Sequence, residues 1–394
     1  MLALLHHYSL VRLRIHSMRI DLVITELDTG GAERCCADLA IFLSGRGHSV
    51  RVIAIGPRAV NPKDSVVRQL EANRIEMHFL GGRSWWALPS VLAKLRRLMK
   101  TDRPDVVQSF LWHANLVSAW VVPSLGVPLF GGIRVAEPQA TRHAFDRWAA
   151  GRSTKTICVS QGVADWCIHS EGIHAGKLLV IPNGVTIHVE GQNIDPETHV
   201  VPKTARVLLF VGRLVHQKGI DVLVGRSPTL LRELPDHHLV VIGDGSMRSH
   251  LDTLSQNPEL IGRVHCLGQR KDVRAWMARA ELLLLPTRYE GMPNVILEAM
   301  AGGLAVVTTR VEGVGELLGD QREEQSVAKE DWEAFFQLVV RLANSRENRQ
   351  KLGQANKARA EQEFVLEQQL LQYELLYMNS TTSRTLNQPS RPLN

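Results

Sequence analysis

The sequence has no Cys-x-x-Cys pair and no His/Cys spacing suited to zinc, although it carries five cysteines. Cys35, Cys36, Cys158, Cys167 and Cys266 are odd in number, and several lie in apolar runs. That excludes a disulfide framework and predicts reduced, buried thiols in a cytosolic protein. No stretch approaches the ~20 apolar residues that span a bilayer. The opening Met1-Leu2-Ala3-Leu4-Leu5 meets His6 and His7 at once, with Arg12 and Arg14 close behind, which is too short and too polar for a signal peptide. A strong charge of one sign is also missing. The formal net charge of +6 over 394 residues favours anionic partners, such as nucleotide phosphates or acidic lipid headgroups, without requiring nucleic acid. No Asp-x-Asp cluster offers itself to a divalent metal. No Gly-x-Gly-x-x-Gly follows the first strand, which weighs against a dinucleotide-binding oxidoreductase.

What is present is a soluble globular composition, 44% hydrophobic and 22% charged, long enough for two domains of roughly 180 residues. Short Val/Ile/Leu runs at 20–24, 50–55, 75–80, 105–110, 129–133, 155–160 and 178–181 predict buried parallel strands. Amphipathic segments such as 32–43 and 88–99 predict the helices between them. The alternation predicts a doubly wound α/β domain over 18–185, preceded by an N-terminal extension at 1–17. A polar stretch at 186–205, with Gly191, Pro196 and Pro202, reads as a linker. A second series at 206–211, 239–242, 264–267, 282–285 and 304–308 predicts a second Rossmann-like domain over 206–360. The two domains would face a central cleft, because ligands bind beyond the carboxyl ends of parallel strands. The chain reads helical from Asp331 to about Met378, with 361–379 as a crossing helix. The Ser/Thr/Pro/Asn-rich end, 380–394, reads as a disordered tail.

Three strand-to-helix loops carry the chemistry. Gly30 and Gly31, ahead of Ala32 and Glu33, let backbone approach a ligand and aim the next helix's amides at the cleft; a tight turn explains them equally well. Gly212 closes a strand, after which Arg213 and Lys218 project where two fixed cations would neutralise a diphosphate, or else stand as solvated surface charges. In the third loop, Glu290-Gly291-Met292 is followed by Pro293, expected as the first helical residue, and then Asn294. Amides near Gly291, Met292 and Asn294 would face an anion. Glu298 lies on the helix beside apolar Val295, Ile296, Leu297 and Ala299, so its carboxylate needs a partner: a vicinal diol, or a nearby Arg.

In these segments the chain resembles the family-4 retaining glycosyltransferases, also called glycosyl transferases group 1, which have the GT-B fold. The resemblance spans roughly residues 18–378 and is most specific at Glu290 to Glu298, which resembles the family's E-x7-E element. It implies that the C-terminal helices pack back on the N-terminal domain. It also implies that Arg213 and Lys218 bind the diphosphate, Glu298 the ribose and Glu290 the donor sugar. His113 matches the histidine at the N-domain cleft edge; without that match it is a helix-start residue. Gly243-Asp244-Gly245 and Gln269-Arg270-Lys271-Asp272 resemble loops that hold the base, which places Asp244 and Arg270 at the donor. Where the family has a Gly-Gly before a Glu, this chain has Glu312-Gly313-Val314-Gly315-Glu316, which puts that turn and its ligand contact in doubt.

The implied activity is retaining, metal-independent transfer of a hexose from a nucleoside-diphosphate sugar, with a UDP-sugar favoured and no further cofactor. The acceptor would be a glycan or lipid-linked glycan in bacterial cell-surface polysaccharide or glycolipid synthesis. Two rivals share much of this pattern: a nucleotide-sugar epimerase of the same architecture, which needs no acceptor, and a non-catalytic sugar-binding protein. Trp85 and Trp86 lead into a helix bearing Lys94, Arg96, Arg97 and Lys100, with Arg103 beyond, so the 83–103 segment fits either peripheral contact with an anionic membrane or an ordinary solvated face.

Overall fold

The computed structural model describes residues 17–28, 30–61, 63–187, 196 and 200–386, with side chains to residue 382. Seven strands, β1 (Arg19–Ile24), β2 (Ser49–Ala54), β3 (Glu76–Phe79), β4 (Val106–Phe110), β5 (Leu129–Ile133), β6 (Lys155–Cys158) and β7 (Leu178–Val180), form one sheet in the order β3-β2-β1-β4-β5-β6-β7. Six more, β8 (Arg206–Val211), β9 (His237–Ile242), β10 (Val264–Cys266), β11 (Leu282–Leu285), β12 (Val306–Thr309) and β13 (Ser326–Val327), form a second in the order β10-β9-β8-β11-β12-β13. Neighbouring strands in both sheets run parallel. Helices cover both faces, which is why a central strand such as β11 reads as an unbroken, fully buried Leu run. The two-residue β13 is too short to leave an apolar signature, and the sequence does not announce it.

The strand orders fix where a ligand can sit. In each sheet the winding reverses beside the first strand, between β1 and β4 and again between β8 and β11. A crevice opens at the carboxyl ends of such a pair. The segments that follow β1, β4, β8 and β11 carry Gly30, His113, Gly212 to Lys218 and Glu290 to Asn294 respectively. Apart from Asp244 and Arg270, which follow β9 and β10, every expected site residue therefore lies at one of the two switch points or on the helix leading from it.

Apolar clusters lie on the two faces of the first sheet. The core of the second domain continues across the boundary to Val159, Val163 and Cys167 of the first. All five cysteines are free; Cys36, Cys158 and Cys167 are buried, while Cys35 and Cys266 are partly covered. Among the described residues no helix is long and apolar enough to cross a membrane.

The helix Trp332–Ala343 is followed by Arg346–Glu363, which is capped at Phe364, and a new helix, Leu366–Leu386, returns to the first domain. Tyr377 is fully buried there and its hydroxyl donates to Gln108 Oε1 at 3.1 Å. Glu374 pairs with Arg46 at 3.1 Å and His48 at 3.0 Å. This corrects the sequence-based expectation in two ways. The crossing helix starts at Leu366 rather than 361, and it continues to Leu386 through residues expected to be disordered; 387–394 lie outside the described residues, as do 1–16 and most of the linker. Packing of Leu370, Tyr373 and Tyr377 supplies the helical stability that the polar composition lacks. Thr381 and Thr382 satisfy their hydroxyls on the Met378 carbonyl within the same helix.

The chain passes between the domains at two points, and they touch. Val185 N donates to Phe364 O at 2.7 Å and Leu366 N to Val185 O at 3.0 Å, a parallel bridge between Val185 and Val365. A Cβ on neighbouring Gly184 would lie 2.6 Å from Leu366 Cα, so only glycine allows this approach.

Candidate active site

After β8 the chain turns through the short helix His216–Lys218 to Gly219, whose φ of +71° is left-handed. A Cβ there would sit 1.8 Å from the Pro286 carbonyl oxygen. That contact lays the 212–219 loop on the end of β11 and brings Lys218 onto Glu290. The ammonium pairs with Glu290 Oε1, which also accepts from Thr287 Oγ1 at 3.0 Å. The side chains are 14% and 7% exposed, so each needs the other. Gln217 Nε2 ties the loop to Tyr289 O at 2.9 Å. Arg213 is exposed, meets Gln217 Oε1 at 3.4 Å, and acts electrostatically on Glu33 and Tyr289. Gly212 is held from below, since a Cβ on Gly243 would stand 1.8 Å from its carbonyl oxygen.

From the first domain, Gly30 caps the helix Gly31–Gly45, and the Glu33 carboxylate folds back into the space a Gly30 side chain would take. Burial raises the pKa of Glu33. Gly31 faces the second domain, where its carbonyl accepts from Asn294 Nδ2 at 3.5 Å. One turn along, Arg34 reaches Glu298 Oε1 at 3.2 Å. The carboxylate expected to seek either a diol or an arginine thus has an arginine, supplied by the other domain.

After β4, Leu111 takes a φ of +70°, a conformation that a bulky residue adopts only when its surroundings enforce it. It turns the chain so that the helix Trp112–Val121 opens at the cleft with His113 in its first turn. Burial, then the charge of Arg142, lowers the His113 pKa. Arg142 stacks over Trp112 at 4.7 Å, pairs with Glu137 at 2.6 Å and also acts on Tyr289. It links the histidine to the far wall.

The 290–294 segment serves both domains. Its carbonyls are taken by the first domain: Glu290 O by Ala136 N at 3.0 Å, Gly291 O by Ser160 Oγ at 2.8 Å, and Met292 O by Asn183 Nδ2 at 2.9 Å. Pro293 is the capping residue before the helix Asn294–Ala301 rather than its first residue, because its ψ of 112° is extended. Glu316, from the turn left in doubt, accepts from the amides of Gln161 and Gly162, both at 2.9 Å, and so caps a helix of the other domain. Asp244 and Arg270 lie on the loops after β9 and β10. The Asp244 carboxylate accepts from Gly245 N at 2.8 Å, and Arg270 forms a two-pronged pair with Asp272.

Several residues of this arrangement escaped sequence reasoning. Asn183 also donates to Asn294 Oδ1 at 2.8 Å, and its own Oδ1 accepts from Arg134 Nη2 at 2.6 Å. Arg134, Ser160 and Asn183 all lie just past the carboxyl ends of β5, β6 and β7. The sequence signal that they share is a polar residue just past the carboxyl end of a parallel strand.

A family model described as Glycosyltransferase Family 4 matches residues 29–189, and one described as Glycosyl transferases group 1 matches residues 205–345. The chain belongs to the group 1, family 4 glycosyltransferases. Among its curated relatives, an uncharacterized glycosyltransferase of Methanocaldococcus jannaschii is 27% identical over 76% of this chain and 83% of that protein. The glycogen synthase of Mycobacterium tuberculosis is 25% identical over 92% and 94%, and a lipopolysaccharide core biosynthesis glycosyltransferase of Rhizobium meliloti 26% over 82% and 89%. The crystal structure of Anabaena HepE in complex with UDP and glucose superposes with a TM-score of 0.77 at 19% identity, over 92% of this chain and all of that one. That likeness shows the GT-B fold.

In this glycosyltransferase the facing crevices bring together the cations Arg213 and Lys218, two helix N-termini and the carboxylates Glu33, Glu290 and Glu298, the last of them paired with Arg34. Both cations come from the loop after β8. The helix N-termini, at Gly31 and Asn294, come from opposite domains. Positive charge and two helix N-termini suit an anionic ligand. Among the described residues no group of three or more His, Cys, Asp or Glu is placed to hold a metal ion.

Proposed function

We propose that this glycosyltransferase moves a hexose from a nucleoside-diphosphate sugar, with UDP as the favoured nucleotide, to a hydroxyl of a glycan or lipid-linked glycan, with retention and without a metal. The observation that carries the proposal is the Lys218–Glu290 pair, with exposed Arg213 on the same loop as Lys218. A leaving diphosphate is stabilised by positive charge already in place, and Lys218 is held by a carboxylate that Thr287 fixes in turn. Asn294 begins a helix whose N-terminus adds to that field, and Glu298 on the same helix would exchange Arg34 for the ribose diol.

Glu290 is engaged by Lys218, so it serves as a sugar contact and cation anchor rather than as a nucleophile. Retention then follows from attack on the face the diphosphate leaves. The C1–O bond to phosphate breaks as the C1–O bond to the acceptor forms, and the acceptor proton passes to a departing phosphate oxygen. His113, with its lowered pKa, is neutral near pH 7 and contacts the sugar at the cleft edge. The choice of UDP draws on Anabaena HepE, solved with UDP-glucose, and on an Escherichia coli relative named as a UDP-Gal galactosyltransferase. The Rhizobium relative supports a cell-surface glycan as acceptor.

Membrane contact through the 83–103 segment is part of the proposal. Trp85 and Trp86 are stacked and are 69% and 74% exposed at the start of the basic helix Leu88–Thr101. Liposome co-sedimentation that does not depend on anionic lipid would remove that part.

The deciding experiment is a thermal-shift screen of UDP, GDP, ADP and their sugars, since a bound ligand raises the midpoint with concentration. UDP and UDP-sugars should give the largest shifts, and Arg213→Ala should diminish them. No shift with any nucleotide, or wild-type turnover of a usable donor by Arg213→Ala, would end the proposal.

A further inference from the structure

A second aromatic surface begins where the cleft ends. Trp120, Phe145 and Trp148 are 63%, 55% and 37% exposed, on the neighbouring helices Trp112–Val121 and His143–Arg152. With Trp112 they form a continuous row. The Trp112 and Phe145 rings lie 6.4 Å apart at 84°. Phe145 and Trp148 are three residues apart and share a helix face. Trp148 and Trp120 rings lie 5.7 Å apart at 49°. Guanidinium groups lie over two of its rings, Arg142 over Trp112 at 4.7 Å and Arg152 over Trp148 at 5.5 Å. Arg152 is fixed, its Nε donating to Ala119 O at 2.7 Å. An exposed row of this kind on a soluble domain marks a contact surface.

We propose that this row is a track for the sugar residues of a glycan acceptor, those beyond the one that receives the transferred hexose. The inference rests on the function proposed above and names its acceptor class. A pyranose ring has an apolar C–H face that lies against an aromatic ring, and a rim of hydroxyls that accept from guanidinium donors. The row supplies both in alternation. Its rings are inclined to one another, which suits a twisting chain of separate rings rather than a plane. A lipid surface calls for apolar groups side by side at the tip of a basic element, and that pattern is met elsewhere, at Trp85, Trp86 and Leu88. The row also connects with the chemistry, because its first ring, Trp112, is in edge contact with His113 at 4.9 Å. An acceptor whose terminal hydroxyl reaches the cleft at His113 would run out along the helix Trp112–Val121, about 15 Å long and enough for several sugar residues.

The test is calorimetric titration of the full chain, saturated with UDP, with maltohexaose, cellohexaose and chitohexaose, each against its monosaccharide. The wild type should bind at least one hexasaccharide and bind the monosaccharide at least about tenfold more weakly. The double variant Trp120→Ala/Trp148→Ala should lose about tenfold or more in hexasaccharide affinity with its UDP thermal shift unchanged, which shows that it is folded. Trp120→Phe/Trp148→Phe should recover most of that affinity. The proposal is overturned if no hexasaccharide binds, or if the alanine double variant binds as the wild type does. It is likewise overturned if the two tryptophans matter only for binding vesicles of phosphatidylglycerol and phosphatidylcholine. Absence of any UDP response in the wild type would instead sink the donor assignment, so the two failures are distinguishable.

Discussion

The two walls of the cleft are built from different materials. On the proposed donor side, loops are positioned by backbone against backbone: Gly219 on Pro286 and Gly243 on Gly212, each with no room for a Cβ. On the proposed acceptor side the wall is made of side chains, His113, Trp112, Arg142 and the aromatic row, carried on and beside the neighbouring helices Trp112–Val121 and His143–Arg152. A wall of backbone contacts tolerates little change and suits a ligand group shared across a family, the diphosphate. A wall of side chains can be exchanged residue by residue without disturbing the sheet, and suits the partner that varies. The difference teaches where substitutions should alter folding and chemistry, and where they should alter choice of partner.

The sharpest way to break this division is Lys218→Ala. On the proposed mechanism it takes a cation away from the leaving diphosphate, and it strands Glu290 without its partner, so transfer should slow by about 10²–10³-fold in steady-state assays. A loss under about tenfold would mean that the donor wall does not carry the chemistry. Next is Gly219→Ala, which combines strained φ with overlap on Pro286 and should lower stability by roughly 2–4 kcal/mol in urea unfolding. Its counterpart on the other wall, Trp120→Ala, should stay within about 0.5 kcal/mol. Equal effects from the two would erase the contrast.

Smaller effects are expected at the contact between the walls. Glu298→Gln should weaken UDP binding about tenfold, whereas Arg34→Ala should leave it unchanged or tighten it, because Arg34 competes for the same carboxylate. Parallel losses in both variants would make Arg34 a ligand contact instead.

The mildest test is pH. In the first domain, burial and then the neighbouring Asp146 raise Glu171 from 4.5 to about 8, and burial raises Asp146 from 3.8 to about 6. The folded chain therefore holds protons that the unfolded chain releases, and stability there falls as pH rises from 4.5 to 8. In the second domain, burial lowers His265 from 6.5 to about 4, with His238 and Arg279 adding to the shift. There the unfolded chain takes up the proton first, so stability falls as pH drops from 6.5 to 4. Hydrogen exchange followed domain by domain should show the first domain loosening toward the alkaline end and the second toward the acid end; matching trends would contradict the assignment.

The central strands were legible because burial on both faces keeps their runs mainly apolar, as in the all-leucine β11. Two glycine loops and the 290–298 segment were legible because local spacing states what a loop can do. The Arg34–Glu298 contact was not, since 264 positions separate the partners and only docking of the domains brings them together. Asn183 was missed for the same reason, although its place after β7 marked it. The helical course of 380–386 was hidden because the apolar anchors that hold it, Tyr373 and Tyr377, lie upstream of the polar stretch they stabilise.

The paired crossings at Val185 and Val365 have a mechanical consequence. Two segments of chain are bonded side by side there, and sliding one domain along the other would break Val185 N–H···O Phe364 and Leu366 N–H···O Val185 at once. The bonds from Ser160 to Gly291 and from Asn183 to Met292 oppose the same slide, so the two walls are held in register from the crossing point to the cleft.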